Sequence, residues 1–355
     1  MKIQMDLLPT GERKEKPEKV EGLSFGSIFS DHMFTMRYSE GQWHSPLISP
    51  YSALELDPAS LVLHYGQGIF EGMKAYRRGS DVYLFRPTQN MSRFNNSASR
   101  MVMPQMDEDF MLEAIKELIR IEKEWIPSES GTSLYVRPTM IATESKLGVK
   151  PSDEYMFFII LSPVGPYFKE GFKPIRIMIA ENHARAAPGG VGAAKTIGNY
   201  AASLKEEKKA KSSGYSQVLW LDACERKYLE EVGTMNVFVV FKDEIVTPNL
   251  GGTILPGITR DSVITLLNEW GEHVTERRIS VDELLKGVSE DRLTEMFGCG
   301  TAAIIAPIGV LGYQGKEHLI SDGRIGNITK RLYDELTGIQ CGERKDNYGW
   351  AYPVC

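Results

Sequence analysis

The residues of the chain most suited to chemistry form the stretch Gly189-Gly-Val-Gly-Ala-Ala-Lys-Thr196. Two kinds of site use small residues followed by a lysine. A nucleotide-binding loop has the pattern Gly-x-x-x-x-Gly-Lys-Thr, in which backbone N–H groups surround the phosphates. Alternatively, a lysine enclosed by small apolar residues is less stable as an ammonium, and its neutral amine can form an imine with an aldehyde. The stretch therefore indicates either phosphate binding or imine chemistry.

The nucleotide interpretation has one supporting feature and two weaknesses. An apolar strand that ends in Asp222 offers the carboxylate that a magnesium ion would need. However, the second glycine of the pattern is replaced by Ala194, whose methyl group would crowd the phosphate. The preceding predicted strand ends near Ala180, and His183-Ala-Arg-Ala-Ala-Pro188 separates it from the loop. The pattern therefore favours Lys195 as a buried nucleophilic amine over a nucleotide-binding loop, while an exposed loop lysine remains the ordinary alternative until the other motifs are considered.

An imine-forming lysine is the attachment point of pyridoxal 5′-phosphate, and this cofactor makes three further demands on a protein. It needs an acid opposite the pyridine nitrogen, a donor to the ring oxygen and a set of donors around the phosphate. The chain offers Glu231, Tyr200 and Arg93 for these tasks. Each has an ordinary alternative when seen alone: an exposed acid beside Glu230, a packed helical tyrosine and a surface arginine on an amphipathic helix.

The blocks around these residues resemble the signature sequences of branched-chain aminotransferases, which are fold-type-IV pyridoxal phosphate enzymes. The blocks are Gly192-Ala-Ala-Lys-Thr-Ile-Gly-Asn-Tyr200, Glu231-Val-Gly-Thr-Met-Asn236 and Leu255-Pro-Gly-Ile-Thr-Arg260. The likeness continues in family order over nearly the whole chain, through His64-Tyr-Gly66, Phe70-Glu-Gly-Met-Lys-Ala75, Leu84-Phe-Arg-Pro87, Asn90-Met-Ser-Arg93 and Leu134-Tyr-Val-Arg-Pro138.

The resemblance implies a role for each cofactor contact. Lys195 would carry the cofactor as a Schiff base and move a proton between the substrate Cα and C4′ of the cofactor. Glu231 would keep the pyridine nitrogen protonated, and Tyr200 would donate to the ring oxygen. The phosphate would be held by a guanidinium, by a helix N-terminus and by a hydroxyl in a turn, which belong to Arg93, to Ile258 and Thr259, and to Thr301.

The resemblance also implies a reversible ping-pong reaction that moves the amino group of L-leucine, L-isoleucine or L-valine to 2-oxoglutarate. The substrate-binding residues would be Phe25, Tyr65, Phe70 and Tyr135 around the side chain, Arg137 at the distal carboxylate of glutamate, and Thr234 and Ala302. Apolar walls bind a branched side chain but discriminate poorly among the three amino acids. The alternatives within the fold are a D-amino acid aminotransferase and an aminodeoxychorismate lyase, against which the aromatic pocket and the long N-terminal extension argue.

The order of predicted elements indicates an α+β protein with two domains. Strands at Met33–Tyr38, Ser133–Ala142 and Tyr155–Leu161 accompany helices at Pro87–Met101 and Asp107–Trp125. The Pro- and Gly-rich stretch that follows predicts a linker, so we expect a smaller domain at 1–164, a linker at 165–174 and a larger cofactor-binding domain at 175–355. The fold-type-IV resemblance places the cofactor in the cleft between the two domains.

Composition restricts the partners of the chain. Its 355 residues carry a net charge of −6, which argues against nucleic acid as the main partner. No apolar run reaches the roughly 20 residues that span a bilayer. The four cysteines form no CxxC pair and no zinc-finger pattern, so we expect no metal and a reduced, cytoplasmic protein. Mammalian relatives carry a CxxC pair where this chain has Ala303 and Ala306, which excludes a thiol switch there. The family resemblance implies a homodimer.

Overall fold

A computed structural model describes residues 1–17, 25–129, 131–167 and 171–355 of the chain. The chain divides into two compact units, of which unit 1 comprises Met1–Lys169, Ala194–Gly198 and Gly338–Cys355. Unit 2 comprises Glu170–Ala193 and Asn199–Thr337. The stretches Ala194–Gly198 and Gly338–Cys355, which the sequence assigns to the larger domain, thus group with unit 1. Of the predicted linker, residues 168–170 lie outside the described residues, and the predicted domain limits remain a prediction.

The described strands, numbered in chain order, are β1 Gln4–Met5, β2 His32–Ser39, β3 Gln42–Pro50, β4 Gly68–Phe70, β5 Met73–Arg78, β6 Asp81–Phe85, β7 Ser133–Ala142, β8 Tyr155–Val164, β9 Ile175–Ile179, β10 Gln217–Leu221, β11 Leu229–Val232, β12 Met235–Phe241, β13 Ile245–Thr247, β14 Val274–Glu276, β15 Leu293–Gly300, β16 Ile304–Tyr313, β17 Lys316–Leu319 and β18 Ala351–Pro353. The described helices are α1 Leu61–Tyr65, α2 Pro87–Arg100, α3 Glu108–Ile121, α4 Gly198–Ser212, α5 Ile258–Glu269, α6 Val281–Ser289 and α7 Asn327–Gln340. Short 3₁₀ turns lie at Thr10–Glu12, Lys123–Trp125 and Ser321–Gly323.

Unit 1 is built on a sheet with the order β1-β3-β2-β8-β7-β5-β6-β18, and β4 pairs with β7. Every pairing in it is antiparallel except that of β1 with β3. Helix α3 begins where the Asp107 side chain accepts the N–H of Phe110 at 2.7 Å. Its apolar face, including Met111, Ile115 and Leu118, is buried in the same core as Phe34 and the strands.

Unit 2 is built on a second sheet, in the order β11-β10-β9-β16-β15-β12-β13-β14, with β17 on β16. This sheet is mixed, because β9 pairs in parallel with both β10 and β16 while β12 and β15 pair antiparallel. The rings of Phe238 and Phe297 stack at 5.1 Å between β12 and β15 and are fully buried. The strands are therefore fixed by aromatic packing as well as by backbone hydrogen bonds.

The α+β class is confirmed. The predicted strand Met33–Tyr38 and helix Pro87–Met101 lie within one residue of β2 and α2, whereas the helix predicted to end at Trp125 ends at Ile121 and is followed by a 3₁₀ turn. Strand β8 runs through Pro163 to Val164, beyond the predicted end at Leu161. Strand β16 begins at Ile304, because residues 301–303 form a turn. Among the residues described, no helix combines the length and the apolar character needed to cross a bilayer.

Candidate active site

Lys195 lies in a short extended segment of unit 1 that runs beside β4. The Lys195 carbonyl accepts the N–H of Phe70 at 3.1 Å, and Ile197 N–H donates to Gly68 O at 3.1 Å. On the other side, the Lys195 N–H donates to Ser97 Oγ at 2.9 Å. The Lys195 ammonium nitrogen lies 5.1 Å from the centroid of the Phe70 ring. The lysine is thus held by backbone contacts while its side chain extends over an aromatic ring.

The prediction that Lys195 is buried is wrong, because its side chain is half-buried. Its neighbours Ala194 and Thr196 are both buried. In an extended chain successive side chains point to opposite sides, so two buried neighbours place the lysine on the other side. The buried Ala194 and Thr196 therefore face away from the amine of Lys195.

The nucleotide-loop alternative fails on the same geometry. Strand β9 ends at Ile179, and Lys195 follows a series of turns instead of standing at the first turn of a helix. Asp222, its proposed magnesium ligand, accepts backbone N–H groups from Glu225 at 2.8 Å and Tyr228 at 2.8 Å. Burial would raise the pKa of Asp222, but these backbone hydrogen bonds hold it below its usual value. Asp222 therefore stabilises a turn.

Arg93 lies in α2 and is almost fully buried, with 8% of its surface exposed. Its Nε donates to Glu71 Oε1 at 2.7 Å and its Nη2 donates to Glu71 Oε2 at 2.9 Å. Ser97, one turn further along α2, donates from its hydroxyl to the Arg93 carbonyl at 3.0 Å and accepts the Lys195 N–H. Helix α2 thus positions both the predicted phosphate ligand and the lysine segment.

Four of the five predicted substrate residues of unit 1 contact one another in a cluster, and the fifth, Tyr65, lies apart from it. Arg137 donates from Nη2 to the Tyr135 hydroxyl at 3.0 Å, and its guanidinium carbon lies 4.5 Å from the Phe70 ring centroid. The Phe25 ring meets the Tyr135 ring edge to face at 4.8 Å. Gly72 makes room for this arrangement, because a Cβ there would come within 1.9 Å of the Tyr135 hydroxyl. Phe25, Phe70, Tyr135 and Arg137 therefore form a connected aromatic and cationic surface that includes Lys195.

Tyr65 lies apart from that cluster at the end of α1. Its hydroxyl donates to the Leu147 carbonyl, and 42% of its surface is exposed. Leu63, Leu147 and Val149 are also strongly exposed. Lys146 N–H donates to Ala59 O at 3.0 Å, which holds the loop after β7 against the start of α1. We call Leu63, Tyr65, Leu147 and Val149 the apolar patch.

In unit 2, Glu231 is buried at the end of a hairpin, next to the start of α5. Its Oε1 accepts the Leu255 N–H at 2.8 Å, and its Oε2 lies 3.0 Å from Arg185 Nε. Asn236, paired with Glu231 across the hairpin, donates to Leu255 O at 3.0 Å. These contacts fix the carboxylate and tie it to the Leu255-Pro-Gly turn.

The same turn leads into α5, whose first residues are the predicted phosphate contacts Ile258 and Thr259. A Cβ at Gly257 would come within 1.9 Å of Asn236 Oδ1, so only glycine fits there. Because Gly257 has no side chain, the first turn of α5 receives no side-chain cap from that position. The positive end of a helix of 12 residues suits an anion.

The other predicted contacts of unit 2 lie in turns or at a helix start. Thr234 is exposed in the two-residue turn of the hairpin β11–β12. Thr301 and Ala302 are half-buried in the turn between β15 and β16, and Cys299 at the end of β15 pairs with Asn236. Tyr200 is half-buried in the first turn of α4. Unit 2 therefore gathers Glu231, Ile258 and the 301–302 turn around the Asn236 end of β12.

Three residues of these arrangements were missed by sequence reasoning. Glu71 and Asn90 stand inside quoted signature blocks, but no role was predicted for either. Arg185 falls in the segment that was treated only as a spacer before the lysine. The signal for Asn90 was its spacing from Arg93, because positions three apart share a helix face.

A family model for class IV amino-transferases matches residues 68–310. This chain belongs to the class IV aminotransferases. Branched-chain-amino-acid transaminase 1 of Bacillus subtilis (strain 168) is 53% identical over 96% of both chains. The branched-chain-amino-acid aminotransferase of Mycolicibacterium smegmatis is 46% identical over 92% of this chain and 90% of its own.

Solved class IV aminotransferases share the fold. The Escherichia coli branched-chain amino acid aminotransferase superposes with a TM-score of 0.76 at 29% identity, covering 92% of this chain and 99% of that one. A branched-chain amino acid aminotransferase of T.th., complexed with N-(5′-phosphopyridoxyl)-L-glutamate, gives 0.74 at 27% identity over 90% and 98%. The predicted fold-type-IV resemblance is confirmed.

Proposed function

We propose that this protein is a pyridoxal phosphate-dependent branched-chain amino acid aminotransferase. In this proposal it moves the amino group reversibly between L-leucine, L-isoleucine or L-valine and 2-oxoglutarate. The observation that carries the proposal is the connected surface of Lys195, Phe70, Tyr135 and Arg137 in a class IV aminotransferase whose relatives bear that name at 46% to 53% identity.

The residues present fit pyridoxal phosphate by the chemistry of their donors. Unit 1 supplies a primary amine at Lys195 and a buried guanidinium at Arg93. Unit 2 supplies a buried carboxylate at Glu231 and a helix start after Gly257, where a Cβ would meet the Asn236 side chain. An amine, an acid for the ring nitrogen and donors for a phosphate are the set that this cofactor requires. That Lys195, Arg93 and Glu231 share one cavity remains a prediction.

When bound, pyridoxal phosphate supplies an aldehyde for the amino group and a ring that accepts electrons. Lys195 Nζ would serve as a general base and then as an acid, taking the proton from the substrate Cα and giving it back. Glu231 would keep the ring nitrogen protonated, and Tyr200 would donate to the ring oxygen. The phosphate would be bound by Arg93, Ile258, Thr259 and Thr301.

The substrate side of the proposal rests on the aromatic cluster of unit 1. Phe25, Phe70 and Tyr135 give an apolar surface for a branched side chain, and Arg137 gives a cation for the distal carboxylate of glutamate. Thr234 and Ala302 are proposed to contact the substrate from unit 2. One surface that is both apolar and cationic would serve both substrates of a ping-pong reaction, because the two substrates occupy the site in turn.

We also propose a homodimer in the cytoplasm. The apolar patch supports the dimer, because it exposes four large apolar side chains on two segments that the Tyr65–Leu147 hydrogen bond joins, and exposed apolar surface commonly marks an interface. Free Cys224, Cys299, Cys341 and Cys355 support a reducing compartment. Sedimentation of wild type and of Leu147→Glu tests the dimer: the variant should shift toward monomer, and a wild-type monomer would contradict it.

The experiment that tests the function combines a visible spectrum, borohydride reduction with peptide mapping, and assays with L-leucine and D-alanine. We expect a pyridoxal chromophore, label on Lys195 and turnover of L-leucine. Turnover of D-alanine alone would overturn the substrate assignment. Chromophore without turnover would indicate a cofactor carrier, and magnesium-dependent ATP binding without a chromophore would indicate a nucleotide-binding protein.

A further inference from the structure

Glu71 is a fully buried carboxylate to which the proposed reaction assigns no role. It stands between β4 and β5, with none of its surface exposed. Besides the two hydrogen bonds from Arg93, its Oε2 accepts Asn90 Nδ2 at 2.8 Å and Gly72 N–H at 3.1 Å. A buried carboxylate is costly unless donors surround it, and here they come from the helix and from the turn before β5.

Three features show that this carboxylate serves the arginine. The Arg93 contact is bidentate, which fixes the plane of the guanidinium as well as its position. Asn90 and Arg93 lie three residues apart on one face of α2, so both reach the same carboxylate. The Glu71 N–H donates to Pro138 O at 2.8 Å, which ties the acid to β7.

Glu71 also belongs to the charge balance of the site. Burial alone would raise its pKa, but Arg93 and, more weakly, Lys195 and Asn90 hold that pKa below its usual value. The carboxylate is therefore an anion when two cations of the proposed site, Arg93 and Lys195, are charged. A negative charge beside a phosphate-binding arginine opposes phosphate binding electrostatically, so its benefit must lie elsewhere.

We infer that Glu71 is a positioning residue for phosphate binding: it orients the Arg93 guanidinium toward the phosphate of the cofactor. This inference rests on the proposed function, in which Arg93 contacts that phosphate. The inference and a purely electrostatic account predict opposite effects when the charge of Glu71 is removed. Removing the charge of Glu71 would strengthen phosphate binding if charge alone mattered, whereas it weakens binding if Arg93 must be held in place.

The test compares the affinity of the full-length, cofactor-free protein for pyridoxal phosphate and for pyridoxal, which lacks the phosphate. The dissociation constant for pyridoxal divided by that for pyridoxal phosphate measures how much the phosphate contributes to binding. We call this quotient the ratio. In Glu71→Gln the new amide NH₂ opposes donors that the carboxylate accepted, and we expect the ratio to fall about tenfold. Arg93→Met should lower the ratio at least as far, and the double variant should fall no further than Arg93→Met alone.

Controls separate this inference from a general loss of stability. Glu117→Gln removes an acid from a surface ion pair with Arg120 and should leave the ratio unchanged. If Glu71→Gln does not fold by circular dichroism, Asn90→Ala removes one donor from the same carboxylate and should lower the ratio by about threefold.

A ratio in Glu71→Gln that rises or stays constant overturns the inference, and an equal loss of affinity for both ligands counts as a constant ratio. If the ratio falls only in Arg93→Met, the proposed function stands and the role of Glu71 fails. If Arg93→Met leaves the ratio unchanged, the phosphate assignment of Arg93 fails and the inference fails with it.

Discussion

Two lysines of unit 1 contrast in the property that usually identifies a reactive amine. Lys74, on β5, has only 6% of its surface exposed, and burial lowers its pKa to about 8 although the nearby Cys341 opposes this shift. Lys195 is half-buried beside β4, with its amine 5.1 Å from the Phe70 ring centroid. Burial alone would therefore select Lys74 as the nucleophile.

The difference shows that access distinguishes the two amines better than burial does. A ligand the size of pyridoxal phosphate reaches a half-buried side chain without disturbing the fold, whereas at Lys74 the core would have to open. Lys195 also shares its surroundings with Arg137 and an aromatic cluster, which are suited to an amino acid. The sequence argument expected Lys195 to be buried but chose it for the motifs that accompany it, and the half-buried side chain replaces the expected burial with access to these surroundings.

The largest effect that would test this comparison is the loss of the Lys195 amine. In Lys195→Ala no side chain can attach the cofactor or move the Cα proton, so we expect transamination to fall by about 10⁴-fold or more. Turnover with L-leucine and 2-oxoglutarate measures this loss. In Lys74→Met, borohydride should still place the label on Lys195.

Two results would reverse that expectation. Label on Lys74 in the native wild-type protein would mean that the buried amine is the reactive one. Turnover in Lys195→Ala within about a hundredfold of wild type would mean that proton transfer uses another base. Circular dichroism of both variants is the control for folding.

A smaller effect is expected at Arg137, which gives the surroundings of Lys195 their positive charge. In Arg137→Met the distal carboxylate of glutamate loses a charged partner, so kcat/KM for glutamate should fall about 10- to 100-fold. The value for leucine should stay within about threefold, since its side chain carries no charge. Steady-state kinetics with each amino donor measures the difference.

The matched control for that variant is Arg77→Met. Arg77 lies on β5 of the same unit and donates to a backbone carbonyl, that of Lys123. Arg77→Met should change neither the kcat/KM for glutamate nor that for leucine. Equal losses for glutamate and leucine in Arg137→Met would indicate that Arg137 only supports Tyr135, to whose hydroxyl it donates.

Secondary structure was predictable where local signals agree with the final packing. Helix α3 has an apolar face and an Asp107 cap, and both act within the helix itself. Strand β3 was missed because Pro46 and Pro50 argue against a strand. In the structure Ser45 has a positive φ of 54°, and the pairing with β2 shifts register there, so that Pro46 sits at an irregularity. The partners that hold β3 lie elsewhere in the chain.

The candidate site divides in a similar way. Lys195, Glu231 and Arg93 were predicted from family motifs, which mark residues that would touch the cofactor. Glu71 and Arg185 act on those residues instead, through contacts that span 22 and 46 positions of sequence, and no local pattern announces them. The half-buried state of Lys195 was also unpredictable, because it depends on which side of the extended segment faces the core.

The last prediction concerns stability and uses the lowered pKa of Lys74. Below about pH 8 this lysine is charged in both folded and unfolded chains, and its burial destabilises the fold. Between the folded pKa of about 8 and the ordinary value of 10.5, the unfolded chain binds a proton that the folded chain does not, so stability rises with pH. A shift of this size corresponds to at most about 3 kcal/mol.

Lys74→Met removes this dependence, so the variant should be stabilised relative to wild type at pH 7 and should lose that advantage by about pH 10. Urea unfolding of both proteins across this pH range gives the difference in their free energies of unfolding. Groups that titrate in the same way in both proteins do not contribute to this difference. Lys286→Met, at an exposed position, should show no such trend. A constant difference between Lys74→Met and wild type would mean that Lys74 is already paired well enough to stay charged when buried. In that case burial would not make Lys74 neutral, and the contrast with Lys195 would rest on access alone.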